Sequence, residues 1–261
     1  MIIAVCGKGG SGKSIIVTLL TKAFLNFGKK VVVLDSDESN SSLYSMLGFD
    51  HPPLPLMDSL GGKEKVQKKM IERFKKESNG ANLAIWMEDT ITYKSLLPDF
   101  IVEKQGIKLI QTGKIHQALE GCACPMGVVT KEFLKKYKLE PNEIMLIDME
   151  AGIEHFGRGI EENVDQVLSV VEPSLESISI SEKIKELAKS VGTHFTGVIL
   201  NKIMSQDQEA FLLNELQNRN ISVVGIIYYY PELQSASLLG RSIEHKEATK
   251  AMENIVKMML S

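Results

Sequence analysis

Ile2-Ile3-Ala4-Val5-Cys6-Gly7-Lys8-Gly9-Gly10-Ser11-Gly12-Lys13-Ser14 opens the chain, an apolar run that breaks into a glycine-rich loop. Ile2–Cys6 reads as a strand and Lys13–Phe27 as a helix, so the loop joins a strand to a helix. Gly7 to Ser14 satisfies the phosphate-loop pattern G-x-x-x-x-G-K-S/T in the context that pattern requires. Phosphate chemistry explains the residue types. Glycines let backbone N–H groups close around phosphate oxygens. The helix beginning near Lys13 adds the positive end of its dipole. Lys13 supplies a point charge at the β- and γ-phosphates, and the Ser14 hydroxyl is a ligand for Mg²⁺. The predicted ATP or ADP site is therefore Gly7, Lys8, Gly9, Gly10, Ser11, Gly12, Lys13, Ser14 and Ile15.

Outward from the loop, short β-branched runs alternate with helical patterns. Val31–Asp35, Ile107–Gln111, Ile144–Asp148, Asp165–Val171, Val198–Asn201 and Ser222–Ile226 read as strands. Ser174–Val191 and Gln206–Arg219 read as helices between the later ones. Continuous apolar strands separated by helices predict an α/β fold, a mostly parallel sheet with helices on both faces. No repeat, low-complexity segment or boundary divides the chain, so residues 1–261 are expected to form a single-domain P-loop NTPase. His51–Gly62 is rich in Pro and Gly and reads as a loop.

Strand ends carry the next signals, because ligands bind at the carboxyl ends of parallel strands. Val31–Leu34 leads into Asp35-Ser36-Asp37, and Ile144-Met145-Leu146-Ile147 leads into Asp148. Asp148 follows the Walker B pattern and would hold Mg²⁺ through water. Asp35 would support the metal shell or the loop. Helix capping is the alternative for Asp35 and Asp37. Val198-Ile199-Leu200 ends in Asn201-Lys202, where GTPases carry Asn-Lys-x-Asp. Position 204 here is Met, so the guanine-reading carboxylate is missing. Adenine is favoured, with Asn201 as a base contact and the backbone near Pro231 as a second wall.

The second lysine, Lys8, distinguishes this loop. Gly-Lys-Gly-Gly-x-Gly-Lys-Ser resembles the deviant Walker A loop of the MinD/ParA/nitrogenase-iron-protein class. That resemblance implies that Lys8 reaches across a dimer interface to the partner's nucleotide, a trans-acting charge like an arginine finger. It also implies that Asp37 orients the attacking water, so that Lys8, Lys13 and Asp37 form the catalytic set. Met149-Glu150-Ala151-Gly152 resembles switch II of the class, with Gly152 able to change backbone state cheaply.

Cys122-Ala123-Cys124-Pro125 is a separate motif. In an extended backbone residues i and i+2 point to one side, and both sulfurs could take one soft metal ion. A two-fold dimer would complete a site of four sulfurs for Ni²⁺ or Zn²⁺. Two reduced structural cysteines or a strained disulfide are the alternatives. Together with the loop, Asp148-Met149-Glu150-Ala151-Gly152-Ile153-Glu154-His155 and Val171-Glu172-Pro173-Ser174, the pair resembles the carbon monoxide dehydrogenase accessory ATPases of the CooC type. The likeness runs from Met1 to about Pro231, with Gly48–Gln105 unaligned. It implies a homodimer that binds nickel or zinc at its interface and serves carbon monoxide dehydrogenase or acetyl-CoA synthase as client. A MinD/ParA-like ATPase that positions cargo on membrane or DNA and an iron–sulfur electron-transfer ATPase, the latter built on well-separated cysteines, are the competing readings.

Composition narrows the choice. Thirty Lys and Arg stand against 33 Asp and Glu, a net charge of −3, which disfavours a nucleic-acid binder. No apolar run approaches the roughly 18–20 residues of a membrane span, and Ile2–Cys6 is too short for a signal peptide core. Three cysteines make no disulfide framework. A cytoplasmic protein with no membrane and no nucleic-acid partner is expected. Lys63–Ser78 reads as a helix with seven Lys or Arg against three Glu, either a solvated face or a dock for an acidic partner. Glu247–Leu260 reads as a helix whose apolar face fits core packing or, as in MinD, a membrane anchor. Cys6 and Trp86 read as core residues. His116 reads as a surface residue or third metal ligand, and His155 as a link from switch II to the interface.

Overall fold

The computed structural model describes residues 1–37, 42–77, 86, 88–113, 124–153 and 159–260, with 73–77, 124 and 161 described by backbone alone. The chain runs β1 (Ile2–Gly7), α1 (Lys13–Asn26), β2 (Lys30–Ser36), α2 (Leu43–Met46), α3 (Leu56–Ser59), α4 (Lys63–Glu77), β3 (Val102–Lys104) and β4 (Ile107–Gln111). It continues through α5 (Cys124–Lys136), β5 (Glu143–Met149), β6 (Gln166–Val171), α6 (Leu175–Ser190), β7 (His194–Ile203), α7 (Gln206–Asn218), β8 (Val223–Tyr228), α8 (Pro231–Leu238) and α9 (Lys246–Leu260). The predicted strands and long helices are all present, with ends shifted by a few residues.

One eight-stranded sheet has the order β3-β4-β2-β5-β1-β6-β7-β8. Every described pairing is parallel except β3 with β4. The continuous apolar strands hide an alternation of faces. Ile3, Val5, Val31, Val33, Ile144 and Leu146 pack with α1 and α9 on one face. Ala4, Cys6, Val32, Leu34, Met145 and Ile147 pack with α5 and Trp86 on the other. Both faces are covered, as a parallel sheet requires. The core readings of Cys6 and Trp86 agree with this packing.

β3, α8 and the helices α2, α3 and α5 were not foreseen. β3 adds an antiparallel edge through a two-residue turn, with Gln105 at φ 53° and Gly106 at φ 82°. Positive φ at both positions is the hairpin turn that matches strand twist, and Gln-Gly was its signal. α8 begins with Pro231, whose missing N–H and fixed φ suit the first helical turn. Within the expected loop 51–62, Leu56 and Met57 are buried and form the one-turn helix α3.

α9 answers the question its apolar face raised. Ala248, Met252, Ile255 and Val256 are buried against the α1 side of the sheet. Its hydrophobic stripe is part of the core. Among the described residues, no helix is long and apolar enough to cross a membrane.

Candidate functional site

The strand order reverses direction at β1, which lies between β5 and β6. The carboxyl end of a strand at such a switch point opens onto a crevice. Register puts the site residues there side by side. Val5 pairs with Asp148, and Asp148 pairs in turn with Asp35. Gly7 pairs with Val170 of β6. A cleft of about 410 Å³ opens over this edge, lined by Gly10, Gly12, Lys13, Ser14, Ile15 and Asp37 on the loop side. Asn201, Lys202, Tyr228, Tyr229, Tyr230 and Leu233 line the opposite side.

The loop is held from beneath and from the side. Lys13 is buried, and its Nζ lies 3.4 Å from the Lys8 carbonyl oxygen. Gly12 caps α1 in the left-handed region at φ 94°. Asn201 Nδ2 donates to the Ser11 carbonyl at 2.8 Å, and Lys202 Nζ donates to the Gly10 carbonyl. The Asn-Lys pair at the end of β7 thus clamps the loop backbone, a role that sequence reasoning missed. Asn201 also borders the cleft, where a base contact was expected. Pro231 starts α8, and the residues on either side of it, Tyr228–Tyr230 and Leu233, line the cleft, near where a second wall for the base was expected.

A Cβ at Gly12 would overlap the Asn201 amide nitrogen, and the left-handed backbone would strain any side chain. Gly12→Ala is therefore expected to cost roughly 1–3 kcal/mol of loop stability and to weaken nucleotide binding about tenfold or more. Titration calorimetry with ATP and a melting curve check this. An unchanged affinity would show that the clamp does not shape the loop.

Asp148 is fully buried, and its Oδ2 accepts from Ser14 Oγ at 2.6 Å. Burial pushes its pKa up to about 7, the neighbouring Asp35 and Asp37 push the same way, and the Ser14 hydroxyl and Lys13 oppose them. A buried carboxylate bonded to a hydroxyl offers the hard oxygens that fit Mg²⁺. Ser14 and Asp148 are the residues that would hold the ion, which supplies positive charge at the phosphates when bound. Asp37 faces the cleft, and its backbone N–H donates to Asp35 Oδ1 at 3.2 Å. Gly152, at φ 93°, donates its N–H to the Gly7 carbonyl at 3.1 Å. The switch-like segment thus touches the first residue of the loop.

The thiol motif is only partly in view. Cys122, with His116 and His155, lies outside the described residues. Cys124 is the first residue of α5, so the backbone turns helical at the second cysteine instead of staying extended. Pro125 was the signal, since proline favours a first helical turn. Among the described residues, no group of three or more His, Cys, Asp or Glu side chains converges as a metal site. α5 is tied to the acidic end of β2 by buried hydroxyls: Thr130 Oγ1 donates to Thr112 Oγ1 at 3.0 Å and lies 3.2 Å from Ser36 Oγ.

Loop, buried carboxylate and switch-point cleft together define a P-loop nucleotide-binding protein of the parallel α/β class. The chain belongs to the CobQ/CobB/MinD/ParA nucleotide binding domain family, whose pattern matches residues 2–243. It is 39% identical to an uncharacterized ATP-binding protein of Methanocaldococcus jannaschii, over 98% of this chain and 100% of that one. It is 34% identical to the carbon monoxide dehydrogenase accessory protein CooC of Rhodospirillum rubrum, over 93% of this chain and 89% of that one. The septum site-determining protein MinD of Pyrococcus horikoshii, solved with Mg-ADP, shares the fold with a TM-score of 0.68. That match covers 99% of this chain and 95% of the other at 19% identity.

Proposed function

We propose that this protein is an ATP-hydrolysing metallochaperone that works as a homodimer. MgATP binds at Gly7–Ile15, with Ser14 and Asp148 holding Mg²⁺ and Lys13 on the phosphates. Asp37 orients the attacking water, and Lys8 of each chain acts on its partner's nucleotide. Cys122 and Cys124 of two chains bind one Ni²⁺ or Zn²⁺ as cargo for carbon monoxide dehydrogenase or acetyl-CoA synthase. ATP closes the dimer and hydrolysis opens it.

The observation that carries the nucleotide part is the convergence of Lys13, Ser14 and Asp37 on one cleft, with the buried Asp148 carboxylate bonded to the Ser14 hydroxyl. The cargo part rests on the Cys-x-Cys pair and on similarity to an accessory protein of carbon monoxide dehydrogenase. The hydroxyl tie between α5 and β2 supports a common response of the thiol helix and the phosphate site. No specific observation favours the positioning or electron-transfer readings.

Equilibrium dialysis against Ni²⁺ and Zn²⁺, with and without MgATP, tests the cargo site. Wild type is expected to retain one ion per two chains, and Cys122→Ala/Cys124→Ala none. Equal retention by both proteins would remove these thiols from the account.

A further inference from the structure

Lys8 is engaged within its own chain. Its Nζ lies 3.2 Å from Glu172 Oε1 and 3.0 Å from Glu176 Oε2. Glu172 uses its other oxygen on Lys202, at 3.3 Å. Lys202 in turn donates to the Gly10 carbonyl. A single carboxylate thus bridges a lysine of the phosphate loop and a lysine at the end of β7.

The local fold holds that carboxylate in place. Glu172 directly follows β6, and its backbone N–H donates to Ser177 Oγ at 3.2 Å. Ser174 caps α6 by accepting from the Ser177 N–H at 3.2 Å. The Glu172 side chain is 20% exposed, whereas that of Glu176 is 67% exposed. Screening and side-chain entropy weaken the outer pair more than the inner one. Partial burial pushes the Glu172 carboxyl up, yet the hydrogen bonds from Lys8 and Lys202 outweigh it and hold the group below its ordinary pKa.

We propose that Glu172 is a positioning residue for Lys8: it holds the ammonium on its own chain until the nucleotide of a partner chain offers a stronger anion. The proposal rests on the reading of Lys8 as a partner-directed charge. Lys13 donates to the Lys8 carbonyl, so the Lys8 backbone stays with the loop while its side chain swings. A polyphosphate in a water-excluded interface outcompetes a part-exposed carboxylate for that ammonium. The intrachain pair therefore opposes premature pairing of chains and is exchanged when ATP is present on the partner.

Amine acetylation of the nucleotide-free protein, read by peptide mass spectrometry, tests the restraint directly. Glu172→Gln is expected to label at Lys8 about two- to five-fold faster than wild type, and Glu176→Gln by less. Buried Lys108 should stay protected in all of them, which reports an intact fold. Labelling of Lys8 at the wild-type rate in Glu172→Gln overturns the proposal.

Sedimentation with MgATP tests the exchange. Glu172→Gln should self-associate at a protein concentration lower by a similar factor, and the shift should vanish in a Lys8→Ala background. A shift that persists without Lys8 also overturns the proposal. Faster labelling with unmoved self-association supports the restraint by Glu172 and sinks the partner-directed role of Lys8 instead.

Discussion

Lys13→Ala is expected to slow ATP turnover by roughly 10²–10³-fold, the usual loss when one preorganised charge or donor is removed from a developing anion. Lys13 is buried at the floor of the cleft, beside Ser14 and the Asp148 carboxylate. In that low-dielectric position its charge acts on phosphate oxygens with little screening by water. Its contact with the Lys8 carbonyl is long, at 3.4 Å. Losing that contact should change the folding free energy by no more than about 1 kcal/mol. Turnover at saturating MgATP, with melting as a fold control, checks this. A variant that stays within tenfold of wild type would take Lys13 out of the catalytic set.

The second large effect concerns Asp148 in metal- and nucleotide-free protein. Its pKa is about 7 in the folded chain, against 3.8 for an unperturbed carboxyl. The folded state therefore holds the proton more tightly than the unfolded chain. Its contribution to stability is full below pH 3.8 and is lost as pH rises through 7. The total is about 4 kcal/mol, roughly half of it between pH 5.5 and 8.5. Asp148→Asn does not titrate, so its denaturation profile should lack this slope and be the more stable at pH 8.5. Urea unfolding of both proteins at the two pH values gives the difference. Parallel profiles would show that Asp148 is not the group in question. The same burial makes the site receptive to Mg²⁺, because a cation there offsets the cost of ionising a carboxylate flanked by Asp35 and Asp37.

Lys13 links the two effects. It is one of the two groups that lower the Asp148 pKa, the Ser14 hydroxyl being the other. Removing Lys13 should move the titration of Asp148 further upward and steepen the loss of stability near neutral pH.

Much of this was written locally. The loop Gly7–Ser14 carries its own conformational requirements in its glycines, and the flanking strand and helix follow from apolar run and periodicity. β5 and Asp148 were legible because a buried parallel strand is apolar throughout and its polar end stands out. β3 and α8 were not, since three strand residues and an eight-residue helix carry too little pattern to separate from turn chemistry. Cys124 was read in an extended frame because thiol spacing was weighed there and the following Pro125 was not.

By itself, the sequence determined the parallel α/β class, the phosphate loop and the acidic strand end at Asp148. Those depend on near-neighbour spacing, which the covalent chain fixes directly. Only the tertiary structure decided how distant residues serve that loop. Asn201 and Lys202 clamp a backbone about 190 positions away, Asp35 raises the pKa of Asp148 across a strand pairing, and Glu172 binds Lys8. Such partners are chosen by sheet order and register, and those are set by how whole faces pack, which no local spacing encodes.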